Sequence, residues 1–103
     1  MLNTFPEILE PTKSFAVINL TSTDIRELPS SFENLVGLQS LRLNMCRDLA
    51  SLPSSIVNLN LLYNLDCSGC AKVTEIPSDI GRLSLLRDLS LQDTGIVNLP
   101  FQV

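Results

Sequence analysis

Leu38–Leu59 reads LQSLRLNMCRDLASLPSSIVNL, and Leu62–Leu83 reads LYNLDCSGCAKVTEIPSDIGRL. Laid over each other, the two stretches match apolar residue for apolar residue. Leu38 falls on Leu62, Leu41 on Leu65, Leu43 on Cys67, Leu49 on Val73, Leu52 on Ile76, Ile56 on Ile80 and Leu59 on Leu83. The pattern continues outward. Upstream it is met by Phe15, Ile18, Leu20, Ile25, Leu28, Phe32 and Leu35, and downstream by Leu86, Leu89, Leu91, Ile96 and Leu99. An apolar residue followed by proline recurs at Leu28, Leu52, Ile76 and Leu99, at intervals of 24, 24 and 23 residues. A fixed period of this size means that each unit is one small supersecondary structure that buries its apolar face only by stacking on its neighbours. Such a stack offers a surface rather than an enclosed active-site pocket.

Each unit changes its internal period midway. Its opening, L-x-x-L-x-L, ends in the alternation of a strand with one buried face. Its close, P-S-S-I-x-x-L, spaces apolar residues by three, as in a 3₁₀ or short helical segment packed on one side. Proline suits the start of such a segment because its missing N–H would have had no partner there. Ser30, Ser54 and Ser78 follow the prolines and are expected to satisfy free backbone donors. The predicted fold is therefore of the α/β class: a solenoid arc with a parallel sheet on its concave face and 3₁₀ or short-helix segments on its convex face. The chain divides into a partial unit 1–14, full units 15–37, 38–61 and 62–85, and a partial unit 86–103. In the first of these, Phe5–Pro6 aligns with Leu28–Pro29 and Leu9 with Phe32. The one-residue change of period falls in the turn after the strand, where Thr23-Asp24-Ile25 and Thr94-Gly95-Ile96 are one residue shorter than Cys46–Leu49 and Cys70–Val73.

Composition narrows the function. Of 103 residues 45% are hydrophobic, mostly aliphatic, and 5% are aromatic, with no Trp. That suits repeated aliphatic layers. A net charge of −4 argues against a nucleic-acid backbone as partner. The absence of His removes the commonest general base and metal ligand. No apolar run is long enough to span a membrane, and Met1–Glu10 lacks the basic start of a secretory signal. Three cysteines do not make an even disulfide framework. These features predict a reducing, cytoplasmic location.

Motifs that could carry chemistry have plainer readings. Cys67-Ser68-Gly69-Cys70 is a C-x-x-C, but a zinc site needs further ligands, which leaves only Cys46 or a carboxylate. Cys67 occupies a core strand position equivalent to Leu20, Leu43 and Leu91. Cys70 stands where Cys46 stands one unit earlier, in a turn where a small sulfur can receive weak hydrogen bonds from the backbone. Cys46 and Cys70 should lie one strand apart, within disulfide reach, and remain free thiols in a reducing compartment. Asn19-Leu20-Thr21 is a glycosylation sequon that matters only in a secreted protein. Asp66 and Asp88 fall at outward strand positions, where solvated charge rather than acid–base catalysis is expected. No catalytic, metal-ligating or cofactor-binding residue is assigned, and no small-molecule substrate is evident.

The full pattern L-x-x-L-x-L-x-x-[N/C/T]-x-L, followed by L-P-x-x-[I/F]-x-x-L-x-x-L, is that of the leucine-rich repeat. Thr23–Leu62 and Leu65–Pro100 together resemble the repeats of plant intracellular immune receptors, which join a Toll-like signalling domain and a nucleotide-binding domain to such repeats. The alternation of Thr and Cys at the ninth position, Ser68-Gly69-Cys70 and the opening Phe5-Pro6-Glu7-Ile8 carry the likeness. It departs from the family at Thr12, where a large apolar residue is usual, so the first partial unit is expected to pack loosely. No G-x-x-x-x-G-K-[ST] occurs, so nucleotide chemistry of the parent receptors does not reside here. The resemblance implies a non-catalytic, protein-binding role in ligand recognition or autoinhibition, with a pathogen-derived protein, a host protein or another receptor domain as partner. A Ras-type repeat scaffold is the nearest alternative, although it favours Asn where this chain has Thr or Cys. An extracellular ectodomain is a weaker one.

Outward strand positions predict three ladders across the concave face: Val17, Ser40, Asn64 and Asp88; Asn19, Arg42, Asp66 and Ser90; Thr21, Asn44, Ser68 and Gln92. From these, Asn19, Thr21, Arg42, Asn44, Asp66, Ser68, Asp88, Ser90 and Gln92 are candidate protein-binding residues, joined by Tyr63 as the one aromatic near the face. Arg42 should face Asp66 directly and Asp88 diagonally. The two ends, with Leu2, Phe5 and Leu9 at one and Ile96, Leu99 and Phe101 at the other, show no polar cap. They predict a stretch of a longer array that is marginally stable or oligomeric in isolation, to be read from whether its thermal transition depends on concentration.

Overall fold

The computed structural model describes residues 4–97. Leu2, Leu99, Pro100 and Phe101, assigned above to the core or the ends, lie outside the described residues. Four three-residue strands, β1 (Val17–Asn19), β2 (Ser40–Arg42), β3 (Asn64–Asp66) and β4 (Asp88–Ser90), form one sheet in sequence order. All three pairings are parallel. Ile18, Leu41, Leu65 and Leu89 stand opposite one another, as do Asn19, Arg42, Asp66 and Ser90. Three 3₁₀ segments, η1 (Ser30–Asn34), η2 (Ser54–Asn58) and η3 (Ile80–Arg82), make the convex wall. Parallel strands need a crossover between them, and here each crossover is only one return segment long, so the chain winds as a solenoid.

The core lies between the two walls and repeats by layers. Leu41 and Leu65 from the strands are fully buried, as are Ile25, Leu49 and Val73 from the turn, and Phe32 and Ile56 from the return segments. Phe5 meets Phe32 edge to face, with ring centroids 5.1 Å apart. Positions expected in the core are less covered where a unit has one described neighbour. Phe15 is 51% exposed although its register equivalents Leu38 and Leu62 are fully buried, because among the described residues no strand precedes β1. Ile18 at one end, and Leu86, Leu89, Leu91 and Ile96 at the other, are half-buried for the same reason.

The first partial unit differs from its expected alignment. Ile8, not Leu9, packs against the core, and Leu9 is 89% exposed. Backbone bonding sets this phase. Ser31 Oγ accepts from the Ile8 N–H at 3.0 Å, Asn34 Nδ2 donates to the Ile8 carbonyl at 2.7 Å, and the Thr12 N–H donates to the Asn34 carbonyl at 2.8 Å. These bonds hold Ile8 inward whatever residue follows it.

The serines after the prolines also act differently from the expectation. Neither Ser30 nor Ser54 caps its segment, and no side chain caps η3. The carbonyls of Pro29, Pro53 and Pro77 instead accept the first 3₁₀ bonds, from the N–H groups of Phe32, Ile56 and Ile80. The second serine of each word reaches the preceding unit: Ser31 Oγ donates to Glu7 at 2.6 Å and Ser55 Oγ to the Ser30 carbonyl at 2.9 Å.

The turn after each strand is the tightest point. Ser22, Met45, Gly69 and Asp93 occupy corresponding positions and all have positive φ, from 60° to 79°. A left-handed residue there reverses the chain while its N–H still bonds the next unit: Ser22 to the Asn44 carbonyl, Met45 to Ser68 and Gly69 to Gln92, at 2.8–3.0 Å. Only Gly69 meets this demand without steric cost. A Cβ at Gly69 would also stand 2.4 Å from Met45 Sδ. We predict that Gly69→Ala lowers unfolding free energy by about 1 kcal/mol. Adding Met45→Ala should recover the part that comes from the sulfur contact. Urea denaturation of the two variants separates the contributions.

Candidate functional site

The short strands place nine of the ten candidate residues in aligned rows. Asn19, Arg42, Asp66 and Ser90 form one row by direct strand register, and Asp88 ends the row of Val17, Ser40 and Asn64. Thr21, Asn44, Ser68 and Gln92 lie just past the strand ends, yet the carbonyls of Asn44, Ser68 and Gln92 still accept from the neighbouring unit. The third row therefore stays in step with the other two. Ser40, though on the outward row, is buried, and its hydroxyl accepts from Asn64 Nδ2 at 2.9 Å.

Much of this face is bonded to itself. Asn19 Oδ1 accepts from the Thr21 N–H at 3.0 Å and from the Thr21 hydroxyl, and that hydroxyl also lies 2.8 Å from Asn44 Oδ1. Asp66 repeats the device one strand further on, accepting from the Ser68 N–H at 3.0 Å and the Ser68 hydroxyl at 2.7 Å. These are Asx-turns that fix the end of the strand. Asp66 stands opposite Arg42 in register, but among the described residues the ion pair recorded is Lys72–Asp48, exposed, at 3.5 Å. Arg42 and Asp88 are exposed and carry charge outward, whereas Asn19, Thr21, Asp66 and Ser68 already have partners.

Tyr63 stands at the border of the face. It precedes β3 by one residue, and its carbonyl accepts from the N–H groups of both Arg87 and Asp88. Its side chain lines a hollow of about 340 Å³ with Gln39, Leu61, Leu85 and Arg87, none of which belongs to the three rows. Sequence reasoning missed this group. The available signal was Leu61 and Leu85, leucines that fall outside the repeating core pattern at a position held by Gly37 in the preceding unit.

The cysteines belong to the interior. Cys46, Cys67 and Cys70 are free and fully buried. The backbone of Thr23 and Ser22 bonds Cys46, and that of Cys46 bonds Cys70, in the expected direction, and the thiols also donate. Cys46 Sγ lies 3.0 Å from the Leu20 carbonyl and Cys70 Sγ 3.0 Å from the Leu43 carbonyl. Each carbonyl belongs to the preceding unit and already accepts one N–H, from Thr23 or Cys46 respectively. The sulfur fills its second lone pair. Thr94, at the same position, bonds the Leu91 carbonyl of its own unit instead. Burial pushes the Cys46 thiol up. Contact with Cys70, followed by burial, pushes Cys67 up, while Cys70 is drawn down by that contact. No three of Cys, Asp and Glu gather as a metal-ligand set among the described residues, and no described helix is long and apolar enough to cross a membrane.

Residues 1–84 match the family model described as the leucine-rich repeats of RPS4B-like disease resistance proteins. The chain belongs to this family. Repeats of this kind are generally non-catalytic protein-interaction modules. The matched span takes in β1 to β3 and all three return segments.

Two outcomes follow from the cysteine geometry. Cys46→Ala should cost about 1–2 kcal/mol through lost volume and the lost thiol bond. Cys46→Thr, the residue of units one and four, should cost less, both by urea midpoint. The folded state favours neutral Cys46, and the contact between Cys67 and Cys70 raises one thiol as it lowers the other, whereas exposed thiols of the unfolded chain ionise near pH ~8.5. The Cys46 stabilisation is full below that pH and is lost as pH rises toward the raised folded value. Urea midpoints should fall from pH 7.5 to pH ~9.5 in the wild type, and fall less in Cys46→Thr.

Proposed function

We propose that the chain is a non-catalytic recognition segment of a plant disease-resistance receptor that signals from the cytoplasm. In this reading its concave face contacts a protein, either a ligand that triggers the receptor or another receptor domain that holds it inactive. The family match over residues 1–84 carries the reading. The face adds chemical support. Its backbone is fixed by parallel pairing and Asx-turns, so its exposed side chains are presented without further backbone ordering cost. Arg42 and Asp88 are the exposed charges of that face among the candidates. Charges at such positions steer association and exclude wrong partners more than they add affinity.

The reading assigns no nucleic acid, membrane or cofactor to this segment. It also leaves Asn19 unglycosylated, since the sequon faces a compartment without the glycosylation machinery.

The test uses the full-length receptor in plant cells. Arg42→Glu and Asp88→Lys should either abolish the response to its trigger or produce a response without one. The first outcome assigns the face to recognition and the second to autoinhibition. A receptor carrying both substitutions that accumulates normally and responds as wild type overturns the reading. The same material should show no mobility shift on deglycosylation.

A further inference from the structure

We propose that the hollow lined by Gln39, Leu61, Tyr63, Leu85 and Arg87 is a docking site for a short extended segment of a partner protein that carries apolar side chains beside carboxylates. This surface borders the first concave row, since Gln39, Tyr63 and Arg87 directly precede Ser40, Asn64 and Asp88, but it does not include Arg42 or Asp88, and the inference does not depend on the reading above.

By strand register, Ala16, Gln39, Tyr63 and Arg87 share one position, and Ser14, Gly37, Leu61 and Leu85 another. Units one and two fill these positions with Ala, Gln, Ser and Gly, and fold in the same register as the rest. The fold therefore does not require a large apolar residue at either position. Units three and four nevertheless place Leu61, Leu85 and Tyr63 there, exposed by 43%, 49% and 41%. Such residues scattered singly need no explanation, but here three converge on one hollow of about 340 Å³. Tyr and Arg are also the side chains that most often anchor protein interfaces.

Charge selects the occupant. Arg87 is exposed, and the ion pair recorded among the described residues does not involve it. Arg87 is a cation beside an apolar hollow, so a local charge pair favours a segment with a carboxylate next to its apolar anchor, against the weaker, screened field of a chain of net charge −4. The same net charge works against a second copy of this chain as occupant.

The chain has one tyrosine and no tryptophan, so intrinsic fluorescence reports on this hollow alone. A random short-peptide library displayed on phage is selected on the full chain and counter-selected on Leu61→Ser/Leu85→Ser. Selected sequences, resynthesised without Tyr or Trp, should combine Leu, Ile or Phe with Asp or Glu. They should change Tyr63 emission saturably. Arg87→Glu should weaken binding about tenfold, by removing one charge pair and adding a repulsion, and Arg87→Lys should keep most of it. All these positions are exposed, and circular dichroism checks that each variant folds. The proposal is overturned if no sequence is enriched, if enriched sequences are basic, or if binding ignores Leu61, Leu85 and Arg87. It is equally overturned if the double serine variant abolishes self-association of the peptide-free chain, or binding to phosphatidylserine vesicles, in place of peptide binding.

Discussion

After each strand the chain must turn sharply and still deliver its next N–H to the neighbouring unit. A left-handed residue at Ser22, Met45, Gly69 and Asp93 meets that demand. If the turn were wider, the bonds from Ser22, Met45 and Gly69 to the carbonyls of Asn44, Ser68 and Gln92 would be lost. The third row of the concave face would then slip out of step with the first two. The thiol bonds of Cys46 and Cys70 fall at the next residue and depend on the same geometry. One backbone conformation thus aligns the outward face and closes the inward one. A non-glycine residue in that conformation carries a cost of about 1 kcal/mol, which three of the four units bear. Stacking offsets it, because each turn is bonded to its neighbour as well as to its own unit.

The ninth-position alternation of Thr and Cys has a physical basis in this turn. A buried carbonyl has two lone pairs, and leaving one unused costs free energy. Where sulfur is present, its longer bonds let it span to the preceding unit and take the second lone pair of Leu20 or Leu43. Thr94, with a shorter reach, bonds its own Leu91 carbonyl. Cys46 and Cys70 therefore tie adjacent units through these carbonyls, Thr94 closes its own unit, and Thr23 Oγ1 meets Cys46 Sγ of the next unit at 3.5 Å. The two cysteines sit in the middle units, which have a described neighbour on each side. The threonines sit in the first and fourth.

The fold was legible because a period of 23 or 24 residues constrains every unit at once. Leu41 and Leu65, or Ile25, Leu49 and Val73, can be assigned to layers without coordinates, since each layer is read several times over. Legibility fell where repetition ended. Phe15 matches Leu38 in pattern but has no strand before it among the described residues, and exposure depends on neighbours rather than pattern. Leu9 matched Phe32 by spacing, but the Ser31 and Asn34 bonds to Ile8 set the phase of that segment. Those bonds come from side chains one unit away, which no local period records. The concave rows followed from alternation alone. Their internal bonding did not: Asp66 is legible as an outward acid, yet that its carboxylate closes a turn on Ser68 appears only in three dimensions.

The same logic separates the parts of the surface that the fold determines from those it leaves free. A repeat protein carries its own control, because each position is sampled in several units under nearly the same constraints. Asn19 and Asp66 both close Asx-turns, so much of their identity is explained by the strand end they hold. Arg42 and Ser90 share the row with them and have no such duty in the bonding described. Gly37 and Leu61 stand at one register position, but Gly37 is buried against the Lys13 backbone, 3.0 Å from where a Cβ would stand, whereas Leu61 is exposed, so burial does not dictate the leucine. Residues that vary between equivalent positions while the backbone stays the same are free of the fold, and specificity can reside in them. By that measure the informative charges of the concave face are Arg42 and Asp88 rather than Asp66. The informative apolar residues lie at Leu61, Tyr63 and Leu85, outside the sheet.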